Sequence, residues 1–229
     1  SALRSRLRES GWFAAHCLPD PKIAQFLDLV AVGTVADVVP LAQVNRILVD
    51  QGLRRIREGY CVPGIKALFT VAGRRTLTRI TAGDVAFQLG PRLNAAGRLA
   101  DMSLSIECLL CDDPARALQL AQELDRLNRE RRVIETDMKA QALKHLDRLP
   151  LADRELPFGL CLFDAGWHQG VVGILAGRIR ERVHRPVIAF APDHSDGLLR
   201  GSARSIQGLH IRDVLAAVEA RQPGLIVRF

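Results

Sequence analysis

The chain has 229 residues, 48% of them hydrophobic and 5% aromatic, with 25% charged and a formal net charge of +7. These values describe an aliphatic-cored globular protein of one large or two modest domains and exclude a disordered chain. No apolar run approaches the ~20 residues that a membrane-spanning helix needs, and no secretory signal opens the sequence. The cationic excess favours a polyanionic partner.

The five cysteines include one C-x-x-C, Cys108 and Cys111, without a second pair or a neighbouring histidine. That pattern argues against zinc and for free thiols in a reducing cytoplasm. Residue 1 is serine, not methionine, so processing or truncation is expected.

In chain order, residues 1–15 read as a basic amphipathic helix, Leu18–Pro21 as a loop and Ile23–Phe26 as a short helix. Leu27–Gly33 is strand-like. Thr34–Leu41 follows, with Asp37 set among aliphatic residues. A carboxylate in such surroundings is costly unless it caps a turn, is hydrogen-bonded or meets a cation. Asp28 poses the same question more weakly. Asn45–Arg57 and Gly64–Ala72 read as helices. Thr81–Leu89 reads as another, entered through an approximate capping box from Thr81 to Asp84.

Gly90–Arg98 (GPRLNAAGR) combines Arg92, Asn94 and Arg98 with two glycines and no acidic residue of its own. Glycine admits close approach of an anion, and guanidinium forks match phosphate oxygens. An ordinary surface loop is the competing expectation. Met102–Cys111 reads as a short helix.

Asp113–Leu149 is the organising stretch, a single helix free of glycine and proline beyond its first turn. Asp113 is its expected N-cap, Pro114 suits its first position and Pro150 stops it. Leu120, Leu124, Leu127, Ile134 and Met138 form a narrow apolar seam spaced four, three, seven and four. Asp125/Arg129 and Glu135/Lys139 are placed for i,i+4 pairing. At 1.5 Å per residue it would span roughly 50 Å, which predicts a rigid connector between two folded units.

Beyond it, Phe158–Phe163 reads as a buried strand ending at the turn Asp164–Gly170. Val171–Val183 reads as a helix and Pro186–Ala191 as a strand. This βαβ pattern places ligand sites at strand C-termini, where His168 lies. A hydrophilic turn, Pro192–Gly197, leads to Leu198–Ser205, where small residues alternate with arginine. Ser202, Arg204 and Ser205 there suggest an anion pocket near the start of the next helix, Leu209–Arg221. Leu225–Phe229 reads as a last strand, cut short.

Together LDLVAVGTVADVVPL (27–41), GPRLNAAGRLADMS (90–103), WHQGVVGI (167–174) and GSARSIQGLHIRDV (201–214) resemble the RecJ family of single-strand-specific exonucleases, within the DHH phosphoesterase superfamily. The resemblance implies an α/β chain comprising the C-terminal part of a DHH catalytic domain (1–112), a long connecting helix (113–149) and a DHH-associated substrate-binding domain, incomplete at its end (150–229). It implies that Asp37 is a metal-ligand and catalytic aspartate. Arg92, Asn94, Arg98, His168, Ser202, Arg204 and Ser205 would contact nucleic acid.

The implied activity is metal-dependent 5′→3′ hydrolysis of single-stranded DNA in repair and recombination, in the cytoplasm and away from membranes. Two Mn²⁺ or Mg²⁺ ions would serve it, with single-strand-binding protein and a helicase as partners. The family's Asp-His-His motif and earlier acidic motifs are absent, as is a Gly-Gly-His segment after Phe229, and Ala100 replaces a common acidic residue. An internal fragment, inactive alone, is therefore expected. The alternatives are a DHH-type phosphodiesterase for short oligonucleotides or cyclic dinucleotides, and a non-catalytic nucleic-acid-binding piece.

Overall fold

A computed structural model describes residues 2–147, 157–193 and 197–229. The expected helix stop at Pro150, the domain boundary there and part of the turn Pro192–Gly197 lie outside the described residues. The chain divides into two compact units, residues 1–92 with 105–122 and residues 93–104 with 123–229.

The first unit is helical. It contains α1 (Ala2–Glu9), α2 (Trp12–Ala15), a 3₁₀ turn (Ile23–Phe26), α3 (Leu27–Ala36), α4 (Gln43–Arg57), α5 (Pro63–Val71) and α6 (Ala82–Asp84). The π turn Val85–Leu89 carries α6 into α7 (Gly90–Leu99).

The expected strand at Leu27–Gly33 is instead α3, and its buried residues Asp28, Ala31 and Val32 recur at helical spacing. A short apolar run does not distinguish strand from helix by pattern alone. The helix prevails here through packing on α4. A Cβ at Gly52 would overlap the Leu27 carbonyl oxygen and stand 2.5 Å from Ala31 Cβ, so only glycine lets the two backbones meet.

Asp28 is 1% exposed, and its Oδ2 accepts the Val62 amide hydrogen at 2.9 Å, joining α3 to the start of α5. Ile56, Ile65, Leu68, Phe69, Ile80, Val85 and Leu89 form the core around this pair. The Thr81–Asp84 capping box is present in full. Gly90–Arg98, weighed as a loop, is helical.

α8 (Ser103–Leu110) and α9 (Pro114–Asp147) cross the division between the units. Asp113 caps α9, accepting from the amides of Ala115 at 3.0 Å and Arg116 at 3.3 Å. Its seam is buried at Leu120, Leu124, Leu127 and Met138. Asp125 pairs with Arg129 at 3.1 Å as expected, whereas Glu135 is engaged by Arg131 and Arg178.

The second unit holds a three-stranded sheet in the order β1 (Leu160–Phe163), β2 (Val187–Pro192), β3 (Leu199–Arg204). β1 runs parallel to β2 through the crossover helix α10 (Val172–Val183), and β3 is antiparallel to β2. Val187, Ala189 and Ala191 of β2 are buried together with Val172, Leu175, Ala176 and Ile179 of α10.

The alternation of small residues with arginine at Leu198–Ser205 is thus a strand's period of two. α11 (Ile211–Arg221) is the last helix among the described residues. The strand expected at Leu225–Phe229 is absent among the described residues. The amides of Gly224 and Ile226 donate instead to Glu219 of α11, at 2.7 and 2.8 Å, which removes them from any ladder.

Candidate nucleic-acid interface

In the second unit the turn between β1 and α10 is held by its own polar groups. Asp164 Oδ1 accepts from the Gly166 amide at 2.8 Å. Trp167 is buried to 2% exposure, and its Nε1 donates to Gln141 Oε1 at 2.9 Å. The Gly170 amide donates to His168 Nδ1 at 3.1 Å. In that arrangement Nδ1 is the unprotonated nitrogen, leaving Nε2 as the donor that His168 can offer.

α10 starts at N-cap Val171, which has no side-chain acceptor for the first-turn amides. The N-cap side chain thus leaves the positive end of the helix dipole uncovered, a setting suited to an anion.

β3 supplies the groups facing that helix start. Ser202 lies opposite Ala189 and Arg204 opposite Val187, both buried on the side of β2 that α10 covers, so the register turns Ser202 and Arg204 toward α10. A Cβ at Gly173 would stand 2.9 Å from Ser202 Oγ and 3.0 Å from Arg204 Nη2. The missing side chain is what leaves room for both groups. Arg204 Nη1 donates to Ser202 Oγ at 3.0 Å and to the Ala203 carbonyl at 2.8 Å.

Arg98, near the end of α7, completes the cluster. Its Nη1 donates to the Gly170 carbonyl at 3.3 Å, and a Cβ at Gly170 would overlap Arg98's own carbonyl oxygen. Half-burial pushes the Arg98 guanidinium below its ordinary pKa. Repulsion from Arg131 and then Arg204 adds to this, against the attraction of Glu135. Several cations held close together in a partly dry setting need an anion to be comfortable.

Arg98, His168, Ser202 and Arg204 thus meet around the start of α10, not of α11 as the sequence suggests. Asn94 is half-buried on α7 in the same unit. The Ser205 hydroxyl is engaged locally, donating to the Leu209 carbonyl at 2.6 Å.

In the first unit Asp37 is the C-cap of α3 and its side chain is exposed. Val38 follows at φ 54, a left-handed conformation unusual for a β-branched residue, which turns the chain sharply behind Asp37. Gly90 sets the start of α7 against the end of α3, where its Cβ would lie 3.4 Å from Ala36 Cβ. Arg92, two residues on, donates from Nη1 to the Gln88 carbonyl at 2.6 Å. Among the described residues no three His, Cys, Asp or Glu side chains are grouped to hold a metal ion. A two-ion centre therefore does not fit this set, and Asp37 could supply at most one of its ligands.

The sequence pattern did not single out Gly170 and Gly173, the two glycines that set the spacing of the cluster.

Among the described residues no helix is long and apolar enough to cross a membrane. A DHHA1 domain model matches residues 157–224. The chain is 56% identical over 228 residues to the single-stranded-DNA-specific exonuclease RecJ of Dickeya dadantii, and 55% identical to that of Escherichia coli. Each alignment covers all of this chain but only 39% of the relative's length. Among solved structures, RecJ from Thermus thermophilus in complex with Mg²⁺ matches with a TM-score of 0.74 at 36% identity, over 94% of this chain and 31% of that one. An exonuclease RecJ bound to manganese matches at 0.68 and 37% identity, over 89% and 48%.

Proposed function

We propose, from the premise that the chain belongs to the RecJ family across the region it shares with these relatives, that it provides the phosphate-gripping part of a single-stranded-DNA 5′→3′ exonuclease. The observation that carries the reading is the convergence of Arg98, His168, Ser202 and Arg204 on the uncapped start of α10.

There a 5′-terminal phosphate would accept from the Arg204 and Arg98 guanidinium groups, the Ser202 hydroxyl and His168 Nε2–H. Gly173 admits it close to the helix amides. A strand held by its end presents the next phosphodiester at a constant distance, a physical route to 5′ polarity. Asn94 would contact the strand's backbone in this unit, Arg92 would contact nucleic acid from the first unit, and Ser205 would support the pocket by holding its own turn.

The family relatives named with Mg²⁺ and manganese make a divalent ion the expected cofactor of the whole enzyme, where it would stabilise charge on the scissile phosphate. Asp37 would contribute one hard oxygen ligand to that centre. The chain would then comprise a catalytic-domain tail (1–112), a connecting helix (113–149) and an associated domain (150–229). The same reading extends to DNA repair and recombination in the cytoplasm, beside single-strand-binding protein and a helicase.

The test is fluorescence anisotropy of 3′-labelled oligothymidylate carrying either a 5′-phosphate or a 5′-hydroxyl. The chain should bind the phosphorylated strand more tightly, and Arg204→Ala should remove the difference, losing roughly 1.5–3 kcal/mol as expected for a hydrogen bond to a charged group. Equal affinity for both strands in the unaltered chain would overturn the reading.

A further inference from the structure

In the first unit a bare aromatic ring stands at a break in helical geometry. Phe87 is 78% exposed, whereas Val85 and Leu89 on either side of it are fully buried. Pro91 accounts for the break. It has no N–H for the Phe87 carbonyl four residues back, and its ring crowds that oxygen. The helix widens there, and the Gly90 amide donates to the Val85 carbonyl, five residues back. Such π turns recur at functional sites.

One exposed apolar residue is ordinary by itself. What sets Phe87 apart is its surroundings. A helical side chain leans toward the helix N-terminus, here over Gly83 and Asp84. Gly83 offers no side chain to cover the ring, and a Cβ there would meet only Thr81 Oγ1, at 3.5 Å.

The flank beside the ring is cationic and held in place. Gln88 Oε1 accepts from Arg74 Nε at 3.2 Å, and its Nε2 donates to Asp84 Oδ1 at 3.0 Å. Asp84 also pairs with Arg74 Nη2, and the Gln88 carbonyl takes Arg92 Nη1. The loop Gly73–Ile80 (GRRTLTRI) adds Arg75 and Arg79, both exposed, and contains no acidic residue. All these residues belong to the first unit.

We infer that Phe87 is a stacking platform for one base of single-stranded DNA, and that Arg75 and Arg79 take the phosphates flanking that base. Every base presents a π-face, so the contact tolerates any sequence. The inference rests on single-stranded DNA as the ligand and adds to it a contact to a base. It does not depend on the terminal-phosphate pocket.

The experiment compares, for the full chain, affinities for 5′-hydroxyl oligothymidylate and for a 5′-hydroxyl strand of abasic sites of equal length. Neither strand carries a terminal phosphate, so the ratio reads base contacts alone. The unaltered chain should prefer oligothymidylate. Phe87→Ala should cut that preference by roughly tenfold, the weight of one stacked base, and leave the salt slope unchanged. Phe87→Trp should retain the preference. Arg75→Ala and Arg79→Ala should each weaken both strands alike and make the salt slope shallower by about 0.7.

Equal binding of the two strands by the unaltered chain, or a preference that survives Phe87→Ala, overturns the inference. So does an equal loss for both strands in Phe87→Ala, which marks a ring that packs on protein. In each of these cases a preference for 5′-phosphorylated oligothymidylate would leave the pocket standing. If the unaltered chain binds no single-stranded DNA, both readings fall.

Discussion

At the scale of single residues, two glycines three apart separate binding from folding. A methyl group at Gly173 would press on the far ends of Ser202 and Arg204, which can rotate away but only by leaving their mutual hydrogen bond. Gly173→Ala should therefore weaken binding of 5′-phosphorylated DNA and leave the melting temperature nearly unchanged. At Gly170 the same methyl would meet the Arg98 backbone, which cannot swing aside. Gly170→Ala should destabilise by about 1–3 kcal/mol or more, the cost of overpacking. Calorimetry with anisotropy on both variants checks the contrast, and matching losses of binding and stability in the two would refute it.

Among the elements, those specified by local chemistry were legible in the sequence. Asp113 before Pro114 marked the start of α9, Thr81–Asp84 marked α6, and the β1–α10–β2 unit followed from two apolar runs around a turn. α3 was not legible, because Leu27–Gly33 is a short run, apolar but for Asp28, whose helical packing relies on the glycine of α4 across from it. The role of β3 was half legible. Its period of two was visible, but its partner helix depends on register with β2, a non-local fact. Leu225–Phe229 was misread because the Gln222 carbonyl captures the Leu225 amide and Glu219 that of Ile226, which a propensity for strand cannot foresee.

That last contact carries a pH dependence. The amides of Gly224 and then Ile226 hold the Glu219 carboxyl below its ordinary range. A depressed carboxylate favours the folded state above the ordinary glutamate pKa of about 4.3, and the benefit is lost as pH falls through the lowered value. The Gly224 and Ile226 amide resonances should accordingly move only below that ordinary pKa. Movement at or above it would contradict the bond. Asp113→Ala should cost about 0.5–2 kcal/mol as a lost N-cap, read from the denaturant midpoint.

For the whole molecule, the net charge of +7 and the scarcity of aromatics mean that the proposed binding of nucleic acid would rest chiefly on electrostatics. Binding should weaken with salt with a slope of about −0.7 per phosphate neutralised on a single strand. The proposed function assigns this chain a single metal ligand, Asp37, so with Mn²⁺ it should bind single-stranded DNA without degrading it. Metal-dependent release of nucleotides that Asp37→Ala abolishes would contradict that expectation.

The central claim, that a terminal phosphate sits at the start of α10, is tested most directly by titrating ¹⁵N-labelled chain with a 5′-phosphorylated dinucleotide and following amide shifts. The account predicts that Gly170, Val172, Gly173 and Ser202 move together with one affinity, and that the 5′-hydroxyl dinucleotide leaves them in place. Shifts centred on α11, or equal responses to the two dinucleotides, would contradict it.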